Sequence, residues 1–190
     1  MKNKPTVVGL LLAAGSSQRF NGHKLLHPLH DNIPIALRAA QNLLDAVPNS
    51  TAVIRKGDKA LYQLLSTTTI NIIENPHATQ GISSSIVCGV QSQLNADGWI
   101  IALADMPYIP TQIIQQVADA INAGANIVAP RYKNRRGHPV GFSKNLQNNL
   151  LRLHGDTGAK TLIDDQINDV QFIDVKNEGV LKDIDSRNDI

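Results

Sequence analysis

The segment Leu12-Ala13-Ala14-Gly15-Ser16-Ser17-Gln18-Arg19-Phe20, with Lys24 close behind, joins an aliphatic run to a stretch of small residues and two cations. Small side chains let a ligand come close to the backbone, and successive N–H groups can cradle phosphate. Arg19 and Lys24 add the positive charge that a polyphosphate needs. The spacing fits neither the Walker phosphate loop nor the G-x-G-x-x-G dinucleotide fingerprint. A tight strand-to-loop turn with a solvated arginine and lysine is the plainer alternative.

Two acidic places come next. Asp105, in Leu103-Ala104-Asp105-Met106-Pro107, follows an apolar run directly. Mg²⁺ typically takes one or two protein carboxylates plus phosphate oxygens and water, and Asp105 suits that role. It could also be a turn or capping aspartate before Pro107. In Asp183-Ile184-Asp185-Ser186, an extended backbone would point both carboxylates the same way, so either could be a second metal ligand. An acidic, frayed C-terminal stretch is the bland reading.

Three further segments carry weaker signals. Gly81-Ile82-Ser83-Ser84-Ser85 is a glycine and three hydroxyls at a helix start, able to cap the helix or contact a base or ribose. The basic stretch 131–139 could bind an anionic acceptor or be a solvated loop. Within it, His138 could act as a base, bind phosphate or be structural. Gly155-Asp156-Thr157-Gly158-Ala159-Lys160 leads into a helix, where anions can bind. An ordinary loop-to-helix turn fits it equally.

The elements that must position these residues alternate. Residues 6–13 read as a strand buried on both faces. A helix over 34–46 follows, with Pro34 in its first turn. Then come a strand at 51–54, a helix capped by Asp58 running to about 65, a strand at 70–73 and a helix over 83–94. Residues 99–104 form the next buried strand. A helix capped by Thr111 carries Ile113, Ile114, Val117, Ala118 and Ile121 on one face and stops at Gly124. Strands at 127–129, 140–142 and 170–175, with helices over 146–153 and 159–165, complete the pattern. This order predicts an α/β fold of three layers, α/β/α, with a mostly parallel central sheet. In such sheets ligands bind at the carboxyl ends of the strands. That rule points to the loop after Ala13, to Asp105 and to what the final strand delivers near Asp185.

Composition bounds the rest. The 190 residues fit a single domain, and their net charge of +2 gives no bias towards nucleic acid or membranes. Aromatics at 4% are too sparse for a base-stacking platform. The lone Cys88, among Ile86, Val87 and Val90, reads as a small buried apolar residue in a reduced setting. The apolar run near the N-terminus is too short for a membrane span and lacks a signal-peptide pattern, so a cytoplasmic location is expected.

Taken together, the motifs at 12–24, 81–85, 103–107, 137–139, 155–160 and 183–186 resemble the molybdenum cofactor cytidylyltransferase branch of the MobA-like nucleotidyltransferases. The resemblance covers nearly the whole chain. Lys160 stands where the family has arginine, keeping charge but losing the bidentate fork. Ser186 and Arg187 stand where threonine and proline are usual.

What the resemblance implies is a Rossmann-like domain that moves a nucleoside monophosphate from an NTP to a phosphate-bearing acceptor and releases pyrophosphate. CTP would be the donor and a molybdopterin-type cofactor the acceptor, with later hand-over to a molybdoenzyme or its chaperone. Leu12, Ala13, Ala14, Gly15, Ser16, Ser17, Gly81 and Ser85 would bind the nucleotide. Arg19, Lys24 and Asp105 would be catalytic, with Mg²⁺ held by Asp105 and Asp185. His138, Pro139, Gly155, Asp156 and Lys160 would meet the acceptor. Residues 1–130 would be the NTP-binding half and 131–190 the acceptor half, bringing the second metal ligand. Relatives that use GTP usually read Leu-Ala-Gly-Gly at the first motif. The extra methyl of Ala14 narrows the space beside the base and favours a pyrimidine. Guanylyl transfer, a sugar-phosphate acceptor, a non-catalytic molybdopterin-binding chaperone and a redox role on a related scaffold are the competing readings.

Overall fold

The computed structural model describes residues 6–15, 20 and 22–190. Eight strands form its sheet: β1 (Val7–Ala13), β2 (Ser50–Arg55), β3 (Asn71–Asn75), β4 (Gly98–Leu103), β5 (Ile127–Tyr132), β6 (Arg135–Arg136), β7 (Val140–Ser143) and β8 (Val170–Asp174). The order is β3-β2-β1-β4-β7-β5-β6, and β8 pairs with β5. Pairings among β1 to β4 are parallel, as is β5 with β8. The β7 strand runs antiparallel between β4 and β5 and reverses the sheet there.

Helices cover both faces. α1 (Ile35–Ala46), α2 (Lys59–Leu65) and α4 (Thr111–Asn122) pack with one apolar cluster, and α3 (Ile82–Ser92), α5 (Gln147–Leu151) and α6 (Lys160–Asp165) with the other. All seven residues of β1 are buried, because it lies centrally with helices above and below. α1 buries Ile35, Ala36, Ala39, Ala40, Leu43 and Ala46, the spacing of one helical face. Asp58 caps α2, its carboxylate accepting from the Leu61 N–H at 3.1 Å. No helix among the described residues is long and apolar enough to cross a membrane.

Four local expectations need correction. Thr111 does not cap α4. Pro110 holds the cap position with no side-chain bond, and Thr111 is the first helical residue. Its proline φ of −65° already suits the entry to a helix. The basic stretch 131–139 is not simply a loop. β5 continues to Tyr132, turns through Lys133 and Asn134 and returns as β6. Both turn residues have positive φ, 47° and 61°, the pattern of a two-residue hairpin turn without its usual glycine. The hydroxyls of 83–85 do not cap α3, whose cap residue is Gly81. Cys88 is half-buried rather than enclosed, and burial raises its thiol above the usual range.

Candidate functional site

β1 and β4 lie side by side with Leu12 opposite Leu103, and the Ala104 N–H donates to the Leu12 carbonyl at 3.0 Å. Ala13, Ala14 and Gly15 therefore emerge beside Asp105, at the carboxyl end of the sheet. A cavity of about 300 Å³ opens there. Leu12 to Gly15, Lys24, Gly81, Ser85, Asp105, Asp156 and Asp185 all line it, so residues far apart in the sequence meet. Ser16, Ser17 and Arg19, expected at the phosphates, lie outside the described residues.

Lys24 begins a short 3₁₀ turn held down by the buried Leu25, while the Phe20 ring meets His27 edge-on. This turn aims the ammonium inward. Lys24 Nζ donates to Asp105 Oδ2 at 2.8 Å and to Asp185 Oδ1 at 3.5 Å. Asp185 reaches the site because Ile184 is fully buried and its N–H donates to the Asp105 carbonyl at 2.9 Å. Flanking that anchor, Asp183 and Asp185 bring carboxylate oxygens within 4.8 Å of one another and of Asp105. An all-oxygen donor set of this kind fits a hard divalent cation. After it, Ser186 and Asp189 form a capping box. Bonds from Ser186 hold the Asp189 carboxyl below its usual range.

The other wall is built from Gly81. Its φ of +100° is left-handed, and a Cβ there would lie 2.3 Å from Asp156 Oδ1 and 2.5 Å from the Gly155 carbonyl. Only glycine lets the 154–156 loop sit so close. Ser83 staples that loop, its N–H donating to the Gly155 carbonyl at 3.2 Å and its hydroxyl to the His154 carbonyl at 3.1 Å. Ser84 donates to the Gly81 carbonyl, and Ser85 accepts from Asn75 Nδ2 at 3.1 Å. Asn75 was not singled out from the sequence. It is 1% exposed at the end of β3 and orients both Ser84 and Ser85. A polar residue ending a strand that points at the site was the available signal.

The residues expected at an acceptor divide. His138, Asp156 and Lys160 line a second cavity of about 270 Å³. Gly155 borders a separate cleft with His77 and Cys88. Pro139 is buried and is not among the residues lining either cavity. His138 is held by its N–H, which donates to the Val180 carbonyl at 2.9 Å. Burial, with repulsion from Arg136, pushes its imidazole down to about 4, only partly offset by Asp105. The ring is therefore neutral at physiological pH, which makes it a weak base and gives it no charge for a phosphate. Lys160 Nζ donates to Asp164 at 2.5 Å and Arg136 to the same carboxylate at 3.3 Å.

Residues 9–170 match the model of the MobA-like NTP transferase domain. The chain belongs to that family. It is 25% identical over 195 residues to the purine catabolism protein PucB of Bacillus subtilis (strain 168), covering 96% of this chain and 93% of that one. Among solved structures it is similar to Rv0371c of Mycobacterium tuberculosis H37Rv, with a TM-score of 0.84, 24% identity and coverage of 98% and 96%. That protein has also been crystallised as a manganese complex. A more distant likeness is to the molybdopterin-guanine dinucleotide biosynthesis protein A of Archaeoglobus fulgidus, with a TM-score of 0.68, 16% identity and coverage of 96% and 94%. Membership makes the chain a nucleotidyltransferase of the MobA-like kind, on the mostly parallel α/β fold these proteins share.

Proposed function

We propose that this nucleotidyltransferase is magnesium-dependent and moves CMP from CTP to a molybdopterin-type cofactor, releasing pyrophosphate. The observation that carries the reading is a cavity where small residues ending β1 face Lys24, Asp105 and Asp185, with Asp183 clustered beside those two carboxylates. The motifs at 81–85, 137–139 and 155–160 support the molybdopterin branch, and Ala14 supports the pyrimidine. The manganese complex of Rv0371c supports a divalent ion.

A phosphate monoester is already a nucleophile at neutral pH, so no dedicated general base is required. An oxygen of the acceptor's terminal phosphate forms a bond to the α-phosphorus of CTP as the bond from that phosphorus to the bridging oxygen breaks. The electron pair leaves with pyrophosphate. Catalysis is then positioning and charge neutralisation. The backbone after Ala13 holds the β- and γ-phosphates with Arg19. Lys24 leaves its carboxylate partners for the α-phosphate and stabilises the charge that develops there. Gly81 and Ser85 border the nucleoside. Asp105 and Asp185 would hold the cation, which neutralises phosphate charge when bound. In this scheme residues 1–130 supply most of the nucleotide side, while Asp156 and Asp185 cross over from the acceptor half.

The test is pyrophosphate release with each of the four NTPs, with and without molybdenum cofactor. The expected result is turnover with CTP that depends on the cofactor. Turnover with GTP instead would make the protein a guanylyltransferase, and a sugar phosphate as the only working acceptor would move it to another branch. Cofactor binding with no pyrophosphate from any NTP would make it a chaperone.

A further inference from the structure

His23 precedes Lys24 and is the cap residue of the 3₁₀ turn Lys24–Leu26, yet its ring makes no capping bond to that turn. Its Nε2 lies instead 2.8 Å from Oδ2 of Asp58, a residue 35 positions away. A carboxylate oxygen accepts, so Nε2 is the donor. We propose that this bond makes His23 and Asp58 positioning residues for Lys24. They hold its ammonium among the carboxylates of the empty site and bring it to the α-phosphate when nucleotide is bound. The inference rests on the role given to Lys24 above.

Asp58 is a firm anchor because its two oxygens are divided. Oδ1 caps α2 by accepting from the Leu61 N–H at 3.1 Å, and Oδ2 is left for His23. α2 is itself pinned to the core by Leu61 and Leu65, both fully buried. The Asp58 side chain is only 18% exposed, so the bond is partly shielded from water. The 3₁₀ turn needs an anchor on one side in particular. On its far side the His27 carbonyl accepts from the Ile35 N–H at 3.0 Å, and Leu25 within the turn is buried. On its near side comes Gly22, at a φ of +146° with nothing within 4 Å of where a side chain would begin. Such a glycine adds no packing contact and leaves its backbone free to rotate. His23 stands between that freedom and Lys24, so its bond to α2 sets where the lysine starts. A plain surface ion pair would add a little stability and leave the site untouched.

Mn²⁺ alone is the probe, with calorimetry as the readout. Without nucleotide, Lys24 occupies the carboxylates that the ion must take, so a lysine held less firmly gives way more easily. His23→Ala and Asp58→Ser should each bind Mn²⁺ about three- to tenfold more tightly than the wild type, the scale of one hydrogen bond. Serine at 58 still caps α2 but is too short to reach His23, which separates loss of the tie from loss of the cap. The double variant should match the single ones, because each removes the same bond. His23→Gln keeps a donor at the Nε2 position and should return to wild-type affinity. Added to Lys24→Ala, His23→Ala should change nothing further. In turnover with CTP, His23→Ala and Asp58→Ser should lose kcat by about the same factor with little change in KM. Three results overturn the proposal: wild-type Mn²⁺ affinity in both His23→Ala and Asp58→Ser, an effect of His23→Ala that persists without Lys24, or a kinetic defect confined to KM. The Mn²⁺ measurement needs no reaction, so the two readings fail separately. If the affinities shift as expected while no NTP yields pyrophosphate, the tie stands and the transfer reading falls. If the wild type passes CMP to molybdopterin while both affinities stay at the wild-type value, only the tie is wrong.

Discussion

Replacing Lys24 by alanine separates its two roles, because the ammonium sits among carboxylates when no nucleotide is bound. Lys24 Nζ lies 2.8 Å from Asp105 and 3.5 Å from Asp185, with its side chain 12% exposed. Removing it leaves three carboxylates within 4.8 Å of one another and takes away the ammonium that Asp105 and Asp185 share. At an effective dielectric constant of about 20, two unit charges at that spacing repel by roughly 3 kcal/mol. Exposure of Asp105 and Asp185 at 27% and 47% lowers the net effect to about 2 kcal/mol. For a chain of this size that is a fall in Tm of about 4–8 °C in EDTA. Millimolar Mg²⁺ should restore the variant more than it stabilises the wild type, because in the wild type the ion must first displace the lysine. An ion present at a hundred times its Kd contributes about 2.7 kcal/mol. In turnover with CTP, kcat should fall by roughly 10²-fold or more, with a much smaller change in KM. Thermal unfolding with and without Mg²⁺, together with steady-state kinetics, makes the measurement. A variant with unchanged Tm in EDTA, no added response to Mg²⁺ and a defect confined to KM would refute the reasoning.

Asp105→Ala should lower turnover by roughly 10²-fold or more while the fold survives; near-wild-type activity with Mg²⁺ removes Asp105 from the site. Gly81→Ala sets a methyl 2.3 Å from Asp156 Oδ1 at a φ of +100°. A loss of about 2–4 kcal/mol is expected, read as a large drop in Tm, and a neutral result would mean that the 154–156 loop gives way freely. The His138 imidazole should titrate near pH 4 in NMR. Because this lies below the unfolded value of about 6.5, the unfolded chain binds more protons between the two. The contribution is complete above about pH 6.5 and is lost as pH falls towards 4, by up to about 3 kcal/mol. Stability that is flat over this window in the wild type, or an equal slope in His138→Asn, contradicts the burial of a neutral ring.

Much of the scaffold is legible in the residues alone. The unbroken aliphatic run of β1, the one-sided apolar spacing of α1 and α4 and the aspartate cap of α2 each arise from local pattern, and the structure follows them to within a residue or two. The strand-end rule likewise brings the turn after Ala13 and Asp105 to one cavity. Tertiary structure decided which partners these residues meet. The antiparallel entry of β7 beside β4 has no local signature, since β7 is only four residues long. Lys24 and Asp105 join Asp185 because a fully buried Ile184 pins the chain to the Asp105 carbonyl, a contact between residues distant in sequence. Gly81 reads as a helix start until the loop at Asp156 is seen lying where its side chain would be. His138 could be base, anion ligand or packing residue in the sequence. Only enclosure beside Arg136 makes it a neutral ring, because desolvation depends on what the rest of the chain folds around it.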